Sequence, residues 1–368
     1  MRDGNVVVIG GGYAGIRLAK KLDETAHVTL VDRKEVFFHR IASLRAGVRP
    51  EWTGAPFIPY DRLLTNGRVA VGKAVRVDTV ERQVVLATGE RLPYDVLVIA
   101  TGADYPEPAR FVGDSPDEAA KAFAEHQHNI AVAEHILVVG GGPSGVELSA
   151  EVRLARPDAR VTLAHSGQEL LHSTGSARAG RKARAWLESH EVAVRLGSFM
   201  SPGHDFGTYR DAHGTVLAAD LSFWATGTTP NTLWLRLAGH GDWLTGSGHV
   251  KVDRTLRVEG RPDVFAVGDV NDVSELKVTP AALAQAEVAA HNITSYLRSS
   301  GRHSKKSRAY RAVHRTPLIV PFGPADGVTV LPVPLGESAV LGTRTTAIAK
   351  AKTLMTPYMR RQLGYSAA

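Results

Sequence analysis

Six glycines and one carboxylate carry the first chemical signal in this chain. Gly10, Gly12 and Gly15 punctuate VVVIGGGYAG at residues 6–15, and Gly140, Gly142 and Gly145 punctuate ILVVGGGPSGVE at residues 136–147. Each stretch runs from an apolar, β-branched segment through Gly-x-Gly-x-x-Gly into residues of helical spacing. That order has a specific use. The first glycine permits a tight turn, the second lets the backbone approach a pyrophosphate, and the third lets helix and strand pack closely. The helix start then offers N–H groups and positive potential to the phosphates. After the first copy the run HVTLV at residues 27–31 ends on Asp32, where a carboxylate accepts hydrogen bonds from ribose hydroxyls. After the second, RVTLAHS at residues 160–166 ends on His165 and Ser166, with no acid. Two sites predict two dinucleotides. The first favours an unphosphorylated ribose, as in FAD or NAD. The second accepts NADH or NADPH, because no carboxylate repels a 2′-phosphate; Arg178 and Arg181, the nearest arginines that follow it, read as solvated helix residues.

Strand–turn–helix units at both places predict an α/β chain with parallel sheets. A length of 368 residues favours two or three domains. The 43% hydrophobic and 22% charged composition is that of a soluble globular protein. The balance of 44 basic against 37 acidic residues, net +7, suits anionic partners such as nucleotides. There is no cysteine, which excludes disulfides, thiolate metal sites and a dithiol relay; no metal is expected. No run of about 18 apolar residues is present, and MRDGNVVV leads into a strand without the apolar core of a signal peptide or a myristoylation start. A cytoplasmic location is therefore expected.

Three further segments extend the pattern. LPYDVLVIATGADYP (92–106) and LSFWATGTTPN (221–231) each set Ala-Thr-Gly after an apolar strand, and RPDVFAVGDVND (261–272) sets Gly268 and Asp269 after another. With the two glycine turns, these resemble the two-dinucleotide-binding-domain flavoproteins, the pyridine-nucleotide oxidoreductases. The similarity is greatest to the apoptosis-inducing-factor-like branch, including its ferroptosis-suppressor type, and more distant to type II NADH dehydrogenases. VDRKEVFFHRIASLRA, GVELSAEV and GDVNDVSELKVTPAALAQAEVAAHNI carry it outside the generic nucleotide-binding elements.

The resemblance implies two Rossmann-like domains, for FAD and NAD(P)H, plus a small α+β C-terminal domain. The FAD domain comprises 1–105 and 252–302, the NAD(P)H domain 106–251, and the C-terminal interface domain 303–368. Cofactor contacts are implied for Gly10, Gly12, Ala14 and Gly15, for Asp32, Arg33 and Ala74, and for Ala100, Thr101 and Gly102. The second set is Gly140, Gly142, Gly145, His165, Thr226 and Gly227, and the return segment adds Gly268, Asp269, Pro280 and Ala281. Asp269 is expected to accept from the flavin ribityl chain, held at a helix N-terminus by the positive end of the dipole. Glu147 is expected beside the nicotinamide, Lys277 and Lys350 beside the flavin, and His39 near the isoalloxazine. Gln285, where relatives carry histidine, and Phe38, in place of one of two adjacent histidines, change the expected acceptor site.

The chemistry so implied is hydride transfer from NAD(P)H to FAD, then direct electron transfer to a quinone-type acceptor without a cysteine pair. Reduction of a ferredoxin-like carrier or a biosynthetic intermediate is the alternative. A redox-sensing or nucleic-acid-binding role, prompted by the basic stretch 302–315, has no base-reading motif or stacking platform behind it. Relatives use the C-terminal part to cover the flavin, to form homodimers or to meet a membrane. Leu354, Met355, Tyr358, Met359 and Leu363 read first as a core-facing pattern, and second as a peripheral membrane helix.

Overall fold

A computed structural model describes residues 4–299, 307–314, 316–333 and 338–366. Of the basic stretch 302–315, residues 302–306 and 315 lie outside the described residues.

The first apolar runs form a five-stranded, wholly parallel sheet. Its order is Val264–Ala266, Val96–Ile99, Asn5–Ile9, His27–Asp32 and Arg68–Val71. Val6, Val8, Leu30, Val96 and Phe265 pack under the helices Tyr13–Leu22 and Thr279–Arg298. The opposite face, with Val7, Ile9, Leu97 and Ile99, packs on the antiparallel strands Ala74–Asp78, Gln83–Leu86 and Arg91–Pro93. Burial on both faces explains why these strands read as continuous apolar runs.

The second sheet is also parallel, in the order Val192–Arg195, Arg160–Ala164, His135–Val139 and Leu221–Trp224. The helices Pro143–Ala155 and Ala177–Ser189 pack on it. Near the first sheet's exit the chain crosses and later recrosses at one point: Ala103–Asp104 pairs antiparallel with Thr229–Pro230. There the Thr101 hydroxyl donates to the Asn231 carbonyl (2.8 Å), and the Asn231 amide donates to the Thr101 carbonyl (3.1 Å). The two Ala-Thr-Gly segments are thus side by side.

A third sheet is antiparallel: Leu318–Phe322, Asp326–Leu331 and Ala339–Leu341. Val320, Phe322, Val328 and Val330 join the core around the helix Pro143–Ala155. The chain then makes a helical turn, Thr343–Thr346, a π-helical turn, Ala347–Ala351, and the helix Thr356–Gln362. Met359 and Leu363 are buried in the core of the first sheet, and Leu354 is buried as well. This apolar pattern faces the protein's own interior, so these three residues present nothing to a membrane surface. Among the described residues no helix is long and apolar enough to cross a membrane.

Candidate active site

Both glycine turns have the same geometry, for the same steric reasons. Gly10 and Gly140 have φ of +109° and +121°, a region that L side chains rarely adopt. A Cβ on Gly15 would lie 1.8 Å from the Gly10 carbonyl oxygen, and one on Gly145 1.8 Å from that of Gly140. These four glycines are required by the fold itself. Gly12 and Gly142 are different. Their φ values, −80° and −76°, suit any residue, and a Cβ on either would meet nothing within 4 Å. Each is the N-cap of its helix, without a capping side chain or an acid in the first turn. Bare N–H groups facing open space, at a position kept small for no internal reason, are what a diphosphate needs. The residues fit two dinucleotides.

Asp32 ends its strand almost fully buried. Its Oδ2 accepts from the Gly11 N–H (2.5 Å) and lies 3.3 Å from the Tyr60 hydroxyl. Its Oδ1 accepts from the Lys34 N–H (2.9 Å) and ammonium (2.6 Å). The Gly72 N–H donates to the Asp32 carbonyl (2.7 Å), two residues before the strand that Ala74 begins. Arg33 turns the other way, donating to the Phe111 and Gly113 carbonyls and pairing with Asp114. The cation on Asp32 is therefore Lys34.

Gly268 (φ +81°) places the Asp269 turn against the first helix, where an added Cβ would meet the Ala14 Cβ at 3.2 Å. Asp269 sits on the single 3₁₀ turn Gly268–Val270, and the long helix starts only at Thr279. The expected helix dipole is thus replaced by side chains. Tyr105 donates its hydroxyl to Asp269 Oδ2 (2.7 Å), Arg40 lies 3.7 Å from the same oxygen, and the Arg40 guanidinium stacks 3.9 Å from the centroid of the Tyr105 ring. Burial and the Asp269 charge hold the Tyr105 phenol well above its usual range. Beneath the turn, Gln285 accepts from the Gly268 N–H (2.8 Å) and donates to Glu275 (2.7 Å). Lys277 turns back onto the Asn271 (2.8 Å) and Val273 (3.0 Å) carbonyls, and burial lowers its pKa. Pro280 and Ala281 open the next helix, which has no acid and no side-chain cap at its start.

His39 is fully buried. Its Nε2 meets the Leu354 carbonyl at 2.8 Å, so that nitrogen carries the proton. Nδ1 then accepts from the Tyr13 hydroxyl (3.0 Å), which itself accepts from the Ile41 N–H (3.2 Å).

Glu147 lies in the second turn's helix, 8% exposed. Lys350, from the π-helical turn, pairs with it at 2.7 Å and also donates to the Ile319 carbonyl at 3.0 Å. Burial raises the Glu147 pKa, and Lys350 opposes that rise. At the other end of this helix start, a cleft of about 680 Å³ is lined by Gly141, Gly142, His165, Gln168, Glu169 and His172. Burial lowers the His165 pKa. Thr226 and Gly227 (φ +74°) lie on the exposed loop after the last strand of this sheet.

Lys34, Tyr60, Arg40 and Tyr105 are site residues that sequence spacing did not single out. Arg40 and Tyr105 stand inside segments already marked by FFHRIASLRA and ATGADYP, and their pairing is tertiary.

Two parallel sheets, each delivering a bare helix N-terminus behind a glycine turn, define a flavoprotein oxidoreductase with two dinucleotide sites. The chain belongs to the pyridine nucleotide-disulphide oxidoreductase family, whose sequence profile matches residues 4–287. It is 31% identical to apoptosis-inducing factor homolog B of Dictyostelium discoideum, over 95% of this chain and 94% of that protein. It is 31% identical to human ferroptosis suppressor protein 1, over 88% and 87%. Its fold is that of the sulfide:quinone oxidoreductase of Aquifex aeolicus, with a TM-score of 0.79, 18% identity and coverage of 98% and 91%. This protein is an FAD-dependent NAD(P)H oxidoreductase. Unlike the family's name, it has no cysteine.

Proposed function

We propose that the protein passes electrons from NAD(P)H, through FAD, directly to a quinone-type acceptor. The observation that carries this reading is the absence of cysteine: no thiol relay stands between cofactor and acceptor. The quinone in the name of the A. aeolicus structural neighbour supports the acceptor class. Segments 1–105 and 252–302 form the FAD unit, 106–251 the NAD(P)H unit and 303–368 the C-terminal unit.

FAD, when bound, supplies the hydride and electron chemistry. The chain's residues bind and orient. The N–H groups after Gly12 and Gly142 hold the two diphosphates, and Asp32 takes the adenosine ribose beside Ala74. Asp269, held in place by Tyr105 and Arg40, accepts from the ribityl hydroxyls. Glu147, with Lys350 against it, orients the nicotinamide amide. Lys277 and the bare helix start at Pro280 favour negative charge at the flavin's pyrimidine edge. His39, with its tautomer fixed by Tyr13 and Leu354, closes the C-terminal segment over the first unit and keeps water out.

Anaerobic reduction by NADH, followed by stopped-flow reoxidation with a short-chain quinone, oxygen and a ferredoxin in parallel, tests the reading. Fast quinone reoxidation is expected. Faster transfer to the ferredoxin, with slow quinone turnover, would assign the alternative acceptor.

A further inference from the structure

A second buried ion pair runs beside Glu147–Lys350 and has no role in the scheme above. Glu147 and Glu151 are successive turns of the helix Pro143–Ala155, and both are buried. Glu151 Oε1 accepts from Nε of Arg45 at 2.7 Å, Nη2 lies 2.7 Å from the same oxygen without making a hydrogen bond, and Oε2 accepts from Nε of Arg49 at 3.1 Å. Arg45 is 1% exposed and lies over the Trp52 ring, 4.7 Å from its centroid. Its Nη1 donates to the Ala351 carbonyl at 2.8 Å. Ala351 follows Lys350 and closes the π-helical turn Ala347–Ala351, a helix form frequent at functional sites.

Stability does not explain this clasp. A buried Arg–Glu pair is on balance no better than well-packed apolar residues. What a planar guanidinium adds is geometry: a rigid fork that binds a carboxylate and a carbonyl at fixed angles. Here the carboxylate belongs to the helix of Glu147, the carbonyl to the residue after Lys350. The helix that carries the fork, Arg40–Ala46, reaches Asp269 through Arg40 at its other end.

We propose that Arg45 is a positioning residue for hydride transfer: by clasping Glu151 and the Ala351 carbonyl together, it fixes Lys350 against Glu147 and ties that pair to the flavin-side helix. The inference rests on the assignment of Glu147 and Lys350 to the nicotinamide site. Glu147 is faced by Lys350 from the C-terminal segment, by Glu151 on its own helix, and by Arg45, with Arg49 beyond Glu151. Loss of Arg45 strengthens proton binding by Glu147 and loss of Glu151 weakens it. Glu151 has the larger effect of the two, so removing both by itself weakens proton binding, and a shift in the opposite direction reports the displacement of Lys350.

The test uses the FAD-loaded enzyme, with anaerobic NADH reduction measured by stopped flow across pH for Arg45→Met/Glu151→Gln and for Glu147→Gln. Full FAD content, reduction slowed roughly ten- to a hundredfold, and an acid limb moved to higher pH are expected of the double variant. A wild-type rate and limb at full FAD content would overturn the proposal. Should the double variant not hold FAD, Arg45→Lys takes its place, keeping the charge without the fork; it must show the same slowing and shift, and a wild-type profile overturns the proposal equally. Glu147→Gln separates the two levels. If it reduces like wild type, the assignment of the nicotinamide site falls and the inference falls with it. If it is slow while the clasp variants are normal, the inference alone falls.

Discussion

Nζ of Lys350 lies 2.7 Å from Oε1 of Glu147, joining residues 203 positions apart in a place where both side chains are nearly dry. Burial raises the Glu147 pKa above its ordinary 4.5, and Lys350 limits the rise. The native state thus holds this proton more tightly than the unfolded chain, so this carboxyl's contribution to stability falls as pH rises through the raised value. Lys350→Met removes the limit. The variant is expected to lose stability toward alkaline pH more steeply than wild type, by about 1–3 kcal/mol between pH ~5 and ~8. Urea midpoints at the two pH values check it; parallel losses in both proteins would deny the buried carboxylate.

The glycines of each turn separate into those the fold needs and those only a ligand needs. Gly15→Ala drives a methyl into the Gly10 carbonyl, so the variant should be destabilised by several kcal/mol, on the order of 3. A Cβ on Gly12 would meet nothing within 4 Å, so Gly12→Val should fold with near-wild-type melting, but without bound FAD. Gly142→Val should keep its FAD and lose about tenfold or more in apparent NADH affinity. Flavin content and NADH titration of the purified variants check the pair. A Gly12→Val protein that retains its yellow colour would remove the diphosphate from that turn.

The two sheets were legible because their constraints are local. Buried parallel strands must be apolar throughout, and Gly10 and Gly140 need positive φ, so sequence alone marks both turns. The partners of the site are another matter. Arg45 in RIASLRA and Glu151 in GVELSAEV look like ordinary helix-surface charges, since neither neighbour in sequence betrays the buried contact that joins them. Lys34 and Tyr60 reach Asp32 from a neighbouring turn and a separate strand edge. Asp269 was expected at a helix start because GDVNDV precedes a helical pattern, yet the intervening loop through Lys277 separates the two. Propensity predicts an element; which carboxylate meets which cation depends on how the two units and the C-terminal segment pack.

His39 supplies an acid-stability prediction. Burial pushes its pKa down to about 4 from 6.5, so the folded state keeps it neutral while the unfolded state protonates below pH 6.5. The stabilising difference is complete above that value. It is lost as pH falls from 6.5 toward 4, by at most about 3 kcal/mol. His39→Gln cannot titrate, and its stability should fall less over that interval, although it starts lower by about 1–2 kcal/mol through imperfect bonds to Tyr13 and the Leu354 carbonyl. Denaturation curves at pH ~7 and ~4.5 compare the two proteins. An identical acid loss in both would show that carboxylates alone govern it.

If the cleft behind Gly142 takes the adenosine end, the choice between the nicotinamide cofactors should depend on pH. Its lining includes His165, His172 and Glu169 but no lysine or arginine. A ribose 2′-phosphate arriving there finds no permanent cation, and lowering of the His165 pKa by burial leaves that ring neutral near pH 7. NADH should therefore have the larger kcat/KM at neutral pH. As pH falls, proton uptake by His165 supplies a positive charge that only the phosphorylated cofactor uses, so the NADPH-to-NADH ratio should rise. His165→Arg makes that charge permanent and adds a fork suited to phosphate. It should raise kcat/KM for NADPH about tenfold at neutral pH, leave NADH within about twofold, and flatten the pH dependence of the ratio. Steady-state kinetics with both cofactors on the two proteins measure all three. If the ratio stays constant with pH in the wild type and the arginine gives NADPH no advantage, the 2′-position does not lie against His165, and the adenosine end is held elsewhere in the second unit.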